Sequence, residues 1–208
     1  MRAMTAVQPI SDQRDQFVPI VFQLLAIAMH HPGQKINLGM CSDYPPPLNT
    51  ASAAVALAVL HPETPVWTDV GARSCAPLWL QAKTGAALVT EPSMAALALI
   101  TAPARMPRLS RFHFGDDQQP ERSALVVVQV KGFSRPGPRN LLAGDGQRVK
   151  ISPDGLPDYF WADWVGQSRF SPLGVDVVFT CGDELVALPR ELRIARPTRI
   201  ARKLLQPA

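Results

Sequence analysis

The sequence predicts an α/β protein, a three-layer sandwich built around a mixed β-sheet. Apolar runs of strand length alternate along the chain with stretches of helical composition, and the clearest strand, Leu125–Val130, has leucine or valine at five of its six positions. Strands as apolar as this are typical of a sheet that is covered on both faces. The 208 residues are enough for one domain with a substantial core.

Capping residues, prolines and glycines divide the chain into its elements. A first helix is expected to begin near Val18 and to end at His31, because a residue that precedes proline avoids helical geometry. Asn49 or Thr50 caps an alanine-rich second helix that ends near Leu60. The other predicted elements are strands at residues 36–40, 66–68, 87–90 and 125–130, helices at residues 76–83 and 157–167, and a polar loop at residues 105–119.

The last predicted elements form a β-hairpin. Val175–Thr180 is an apolar, β-branched run, and Leu185–Leu188 is a second apolar run of strand length. Gly182-Asp183 provides the turn between the two strands. Pro189 ends the second strand, because proline cannot donate a hydrogen bond to a neighbouring strand.

Asp176 is the one charged residue on the first strand of this hairpin. A carboxylate in such an apolar run must accept hydrogen bonds, pair with a cation, or face a cleft at the end of the strand. It is therefore either a structural carboxylate that accepts backbone N–H groups or a contact to a ligand or partner. The sequence leaves both interpretations open.

The net charge of +4 comes from the end of the chain. Residues 190–208 hold six of the 21 basic residues and one of the 17 acidic residues, so the rest has 15 basic and 16 acidic residues. We therefore expect a single α/β domain at residues 1–189 and a basic tail at residues 190–208. Such a tail is either a solvated segment or an arm that contacts an acidic partner or a polyphosphate.

No complete catalytic or metal-binding motif is visible in the sequence. The three cysteines and four histidines do not have the spacing of a zinc site or a disulfide framework, and we find no nucleophile elbow. The longest apolar stretch near the start is shorter than the ~20 residues that a membrane helix needs, and we expect no secretory signal because the first residues lead into polar ones. A soluble cytoplasmic protein without a resident metal is expected.

The hairpin region resembles the C-terminal signature of the PhnH family. The matching residues are Pro172 to Asp176, Thr180-Cys181-Gly182 and Ala187 to Arg190. Members of that family are subunits of the bacterial carbon–phosphorus lyase system, which breaks down phosphonates. Weaker matches lie upstream of this signature, in the order of the family, at residues 29–33, 64–67, 120–121 and 142–146. The resemblance favours a strand at residues 94–101, where the alanine content alone favours a helix.

The resemblance implies a fold like that of pyridoxal-phosphate-dependent transferases, without their cofactor site. It also implies a homodimer and a place in a core complex with PhnG, PhnI and PhnJ. With PhnG, PhnI and PhnL, such a subunit is required for transfer of the ribose triphosphate moiety of ATP to a phosphonate. The implied role is non-catalytic or site-contributing, with no cofactor. Glu191-Leu192 departs from the small hydroxylic residues that are usual after the Pro-Arg pair.

Four residues are candidates for contact with a nucleotide, a phosphonate or a partner subunit. Asp176 and Arg190 flank the hairpin, and Gly144 and Arg148 are weaker candidates. Gly144 lies in a Gly-Asp-Gly segment for which a plain turn is the simpler interpretation, because Asp145 would repel a phosphate.

Two rival functions stay open on the sequence alone. A stand-alone pyridoxal-phosphate enzyme needs a lysine at a strand or loop end that faces a cleft. The lysines available for this are Lys35, Lys83, Lys131, Lys150 and Lys203. A nucleic-acid-binding module would act through the arginine tail, but no aromatic residues are interleaved with those arginines.

Overall fold

The computed structural model describes residues 10–39, 44–133, 139–142 and 148–194. Its helices are α1 (Ile10–His30), α2 (Thr50–Val59), α3 (Cys75–Thr84) and α4 (Phe160–Gln167). Its strands are β1 (Ile36–Asn37), β2 (Val66–Thr68), β3 (Leu97–Ile100), β4 (Leu125–Gln129), β5 (Arg139–Leu142), β6 (Arg148–Ile151), β7 (Asp176–Cys181), β8 (Glu184–Leu188) and β9 (Arg193–Ile194). None of the helices in these ranges has the length and apolar character that a membrane crossing requires.

Six strands form the main sheet, in the order β1-β8-β7-β4-β3-β2. Strands β2, β3, β4 and β7 are parallel to one another, whereas β8 is antiparallel to β7 and β1 is antiparallel to β8. The sheet is therefore mixed, as predicted. A second sheet has three antiparallel strands in the order β6-β5-β9.

The two faces of the main sheet bury separate apolar clusters. Val127 and Val178 point to the face that α1, α2 and α3 cover, whereas Val126 and Val177 point to the face that α4 and the small sheet cover. Successive side chains of a strand alternate between faces, so strands buried on both sides are apolar throughout. The predicted three-layer α/β arrangement is confirmed in this form.

Several local predictions are confirmed with their causes visible. Asn49 is the N-cap of α2, and its side-chain oxygen accepts the Ser52 N–H at 2.8 Å. Residues 94–101 contain β3, so the strand alternative holds there. Gly182 has a φ of 59°, which is the left-handed geometry that a two-residue hairpin turn demands of its first residue.

Other local predictions are wrong. Residues 87–90 form no full strand, because Leu88 makes only an isolated bridge to Val66. Helix α1 begins at Ile10 and continues through Pro19, since burial of Val21 against the sheet offsets the hydrogen bond that proline cannot donate. The segment at residues 105–119 is polar in sequence, yet it buries Met106, Leu109 and Phe112 in the second cluster.

The chain beyond Pro189 continues to contact the body. Leu192 is 2% exposed, and its carbonyl accepts the indole N–H of the buried Trp164 at 3.0 Å. Strand β9 then pairs with β5. Residues 190–194 of the predicted tail are thus in contact with the small sheet and α4, and residues 195–208 lie outside the described residues.

Candidate functional site

Asp176 and Arg190 are brought together because β7 and β8 are antiparallel. Val177 pairs with Leu188, so Asp176 lies opposite Pro189 and one residue away from Arg190. The Arg190 backbone N–H donates to Asp176 Oδ1 at 2.8 Å, and its Nη2 donates to Asp176 Oδ2 at 2.5 Å. Nε lies 3.2 Å from both carboxylate oxygens. The result is a bidentate, charge-assisted pair that closes the open end of the hairpin.

Arg190 also joins the hairpin to another part of the chain. Its Nη1 donates to the carbonyl oxygen of Pro120 at 2.9 Å, in the short 3₁₀ turn Pro120–Arg122 that precedes β4. The two paired side chains are only 17% exposed for Arg190 and 23% for Asp176. The pair therefore supplies the hydrogen bonds that the structural interpretation of Asp176 requires, and a ligand role for these residues stays a prediction.

The segment before β7 is positioned by a buried glutamine. Gln167, 3% exposed, accepts the Val175 N–H at 3.1 Å and donates to the Val175 carbonyl at 3.2 Å. Gly174 has a φ of 138°, and a β-carbon there would lie 3.3 Å from the Gln167 Oε1. Glycine is thus needed for both conformation and space. This contact gives the Leu-Gly-Val-Asp part of the signature its physical reason.

The paired residues line an open cleft of about 440 Å³. Two further carboxylates, Glu121 and Glu191, line the same cleft and are exposed. Because Asp176 already balances the charge of Arg190, these two glutamates give the cleft a net negative charge. The remaining lining residues are mainly apolar: Met29, Pro120, Pro172 and Pro189. An acidic cleft with an apolar rim is suited to a cationic side chain more than to a free phosphonate.

The structure describes one of the two weaker candidates, Arg148. Arg148 is exposed at the start of β6 and is absent from the residues that line the cleft. Gly144 lies outside the described residues, so its role stays a prediction. Within the part of the chain that the structure describes, no three His, Cys, Asp or Glu side chains are grouped as a metal site.

Sequence reasoning missed a second cleft, of about 490 Å³, at the carboxyl ends of β3 and β4. Its lining residues come from five separate segments: Asn49, Thr101 to Ala104, Gln129 to Lys131, Gly155 and Gly182. The available signal was the order of the elements, because ligands of open α/β sheets bind beyond the carboxyl ends of the parallel strands. In the sequence, Lys131 is not distinguished from the other four lysines.

The family of the chain follows from comparison with known proteins. Residues 12–195 match the family model described as bacterial phosphonate metabolism protein (PhnH). The chain belongs to the PhnH family. The resemblance predicted from the C-terminal signature is therefore confirmed, and Asp176, Arg190 and both clefts fall within the matched PhnH range.

Two curated relatives of this PhnH-family chain have informative names. Alpha-D-ribose 1-methylphosphonate 5-triphosphate synthase subunit PhnH from Rhizobium meliloti (strain 1021) is 33% identical over 181 residues, which are 85% of this chain and 89% of that protein. Putative C-P lyase subunit protein HtxG from Stutzerimonas stutzeri is 33% identical over 84 residues. That second match spans 38% of this chain and 42% of the relative, less than half of either.

Proposed function

We propose that this chain is a subunit of the bacterial carbon–phosphorus lyase system. In this role it takes part in the transfer of the ribose triphosphate moiety of ATP to a phosphonate, which yields ribose 1-methylphosphonate 5-triphosphate when the phosphonate is methylphosphonate. The observation that carries the proposal is the match of residues 12–195 to the PhnH family, supported by the name of a relative that aligns over 89% of its length.

The geometry at Asp176 supports a positioning role over acid–base chemistry. Its two oxygens accept from three N–H groups of Arg190 through four contacts, because the Nε–H is shared between both oxygens. A carboxylate has about four lone-pair sites, so little capacity is left for a proton from a substrate. We therefore propose that Asp176 and Arg190 maintain the shape of a surface that the complex uses. The chain contributes that surface to a site that other subunits complete.

The partners belong to the same proposal. They are PhnG-, PhnI-, PhnJ- and PhnL-like subunits, and the acidic cleft beside Arg190 supports contact with a basic side chain of one of them. A homodimer and a cytoplasmic location are also proposed. Large apolar side chains on α1 support an interface there: Ile20, Phe22 and Ile27 are 55%, 57% and 44% exposed.

One observation favours a second candidate, the stand-alone pyridoxal-phosphate enzyme. Lys131 follows β4 and lines the cleft at the strand ends, which is the position that such an enzyme needs for its lysine. The finer likeness of the fold to pyridoxal-phosphate-dependent transferases is a proposal on the same ground. An absorbance scan of the purified chain mixed with pyridoxal phosphate decides this: a Schiff-base band that disappears in Lys131→Gln supports the candidate, and its absence removes it.

Growth on a phosphonate tests the leading proposal. Deletion of the gene for this chain should abolish growth on methylphosphonate as sole phosphorus source and leave growth on inorganic phosphate intact. A plasmid copy should restore growth, which controls for effects on neighbouring genes. Unimpaired growth of the deletion strain on methylphosphonate would refute the proposal. The nucleic-acid candidate depends on residues 195–208, and salt-independent binding to DNA, or binding that survives their removal, would end it.

A further inference from the structure

The cleft at the ends of β3 and β4 lies where the two layers of the fold separate. Asn49, the N-cap of α2, forms one wall from the layer that contains α1 to α3. The opposite wall is Ala102 to Ala104, which leads into Met106 in the other layer. The cleft therefore opens beyond the carboxyl ends of β3 and β4, between the N-terminal end of α2 and the segment that follows β3. Open α/β sheets bind small molecules beyond the carboxyl ends of their parallel strands.

Lys131 gives this cleft its charge. Among the described residues that line it, Lys131 is the one with an ionised side chain. Its backbone N–H donates to the Asp154 carbonyl at 3.2 Å, and the Asp154 N–H donates to the Gly132 carbonyl at 3.0 Å. The methylene chain lies along Gly155, where a β-carbon would be 3.5 Å from Cγ and Cδ. The ammonium group is therefore carried at a defined wall of the cleft.

The carboxylate of Asp69 accepts hydrogen bonds from the apolar wall of the cleft. Asp69 accepts the Thr101 N–H at 2.9 and 3.0 Å, the Thr101 hydroxyl at 3.0 Å and the Ala102 N–H at 2.8 Å. These bonds fix the wall and satisfy the carboxylate, and Asp69 itself is not among the residues that line the cleft. The N-terminal end of α2 adds a positive partial charge, although its first N–H groups are already bonded to Gly182 and Asn49.

We infer that this cleft binds a small organic oxyanion, a phosphonate, phosphate or carboxylate. The Lys131 ammonium pairs with the anionic group, and the uncharged part of the ligand packs on Ala102 to Ala104. The volume of about 490 Å³ is in the range of small-molecule sites. The inference concerns the chain by itself and does not depend on the proposed complex. It also separates the two clefts, since Glu121 and Glu191 repel anions at the other one.

Titration of the isotopically labelled full-length chain tests the inference. Methylphosphonate, inorganic phosphate and acetate are added separately at constant pH and ionic strength, and amide shifts are followed by two-dimensional NMR. We expect saturable shifts at Lys131, Gly155 and Gly182, with the three arms showing which oxyanion is preferred. Shifts confined to Asp176 and Arg190, or no saturation by about 10 mM of any probe, would overturn the inference.

Three variants assign the binding to Lys131. Lys131→Gln should raise the Kd at least about tenfold, because it removes a charge-assisted contact. Lys131→Arg keeps the charge and should bind within a few-fold of the unaltered chain. Lys83 is exposed on α3 and lies outside both clefts, so Lys83→Gln is the matched loss of one lysine and should leave the Kd unchanged.

The variant results decide the matter in either direction. Unaltered binding by Lys131→Gln, or equal loss in Lys83→Gln, would contradict the assignment. The dispersion of each variant's spectrum reports folding. If Lys131→Gln is unfolded, the arginine variant decides, and its failure to bind while folded counts against the site. Growth on methylphosphonate is a separate readout, so the inference and the proposed function can fail independently.

Discussion

The Asp176–Arg190 pair should contribute measurably to the free energy of unfolding. Removing either partner leaves a charge that is less than one quarter exposed and was bonded to its partner. Exposed pairs contribute roughly 0–1 kcal/mol and breaking a buried pair costs roughly 3–5 kcal/mol, so we expect a loss of about 2–3 kcal/mol for Asp176→Ala. Arg190→Ala should lose as much or more, because it also frees the carbonyl of Pro120.

A double-mutant cycle measures the pair itself. Urea unfolding of Asp176→Ala, Arg190→Ala and the double variant should give a coupling energy of about 1.5–3 kcal/mol, with similar slopes in urea. The exposed pair Arg111–Glu91, with an N–O distance of 3.2 Å and side chains 63% and 58% exposed, is the control. Its coupling should be below about 1 kcal/mol. Equal coupling in the two pairs, or less than about 0.5 kcal/mol for Asp176–Arg190, would refute the reasoning.

Three further changes test other contacts by urea unfolding. Gly33→Ala places a β-carbon 2.5 Å from Val149 Cγ1 at a φ of 82°, whereas Gly39→Ala has a φ of 73° and nothing within 4 Å. The first variant should therefore lose about 1–3 kcal/mol more free energy of unfolding than the second. Equal losses would mean that the small sheet shifts to accommodate the new β-carbon. Asn49→Ala should lower the free energy of unfolding by about 1 kcal/mol, whereas Asn49→Asp keeps a capping oxygen and should change it little. Equal effects of the two substitutions would show that the cap of α2 does not contribute to stability. Leu192 is buried, so Leu192→Ala should lower the free energy of unfolding by about 2–4 kcal/mol. An unchanged free energy of unfolding would show that Leu192 does not belong to the core.

Local chemistry explains which parts of the fold could be predicted. The cap at Asn49 and the turn at Gly182 depend on residues next to each other in sequence, so their patterns predict the observed geometry. The small sheet was missed as a unit because β6 and β9 find their partners only through long-range pairing with β5. Residues 87–90 have the composition of a strand, but Leu88 meets a partner at one point only.

The candidate site shows the same difference between local contacts, which could be predicted, and long-range contacts, which could not. Asp176 and Arg190 flank one hairpin, so their proximity follows from the turn between them, and their pairing is its direct consequence. The contact from Arg190 to Pro120 joins residues 70 positions apart and has no signal in the local sequence. The cleft that contains Lys131 is assembled from five segments, and its lining follows only from the order of the strands in the sheet.

Reconstitution of the phosphonate-activating reaction tests the central claim most directly. Purified PhnG-, PhnI- and PhnL-like subunits from the same source are mixed with ATP and methylphosphonate, with and without this chain, and adenine release and ribose 1-methylphosphonate 5-triphosphate are measured by chromatography and phosphorus NMR. We predict that the triphosphate product forms only when the chain is present and that the chain alone forms none. Equal product formation without the chain would contradict its assignment as a required subunit.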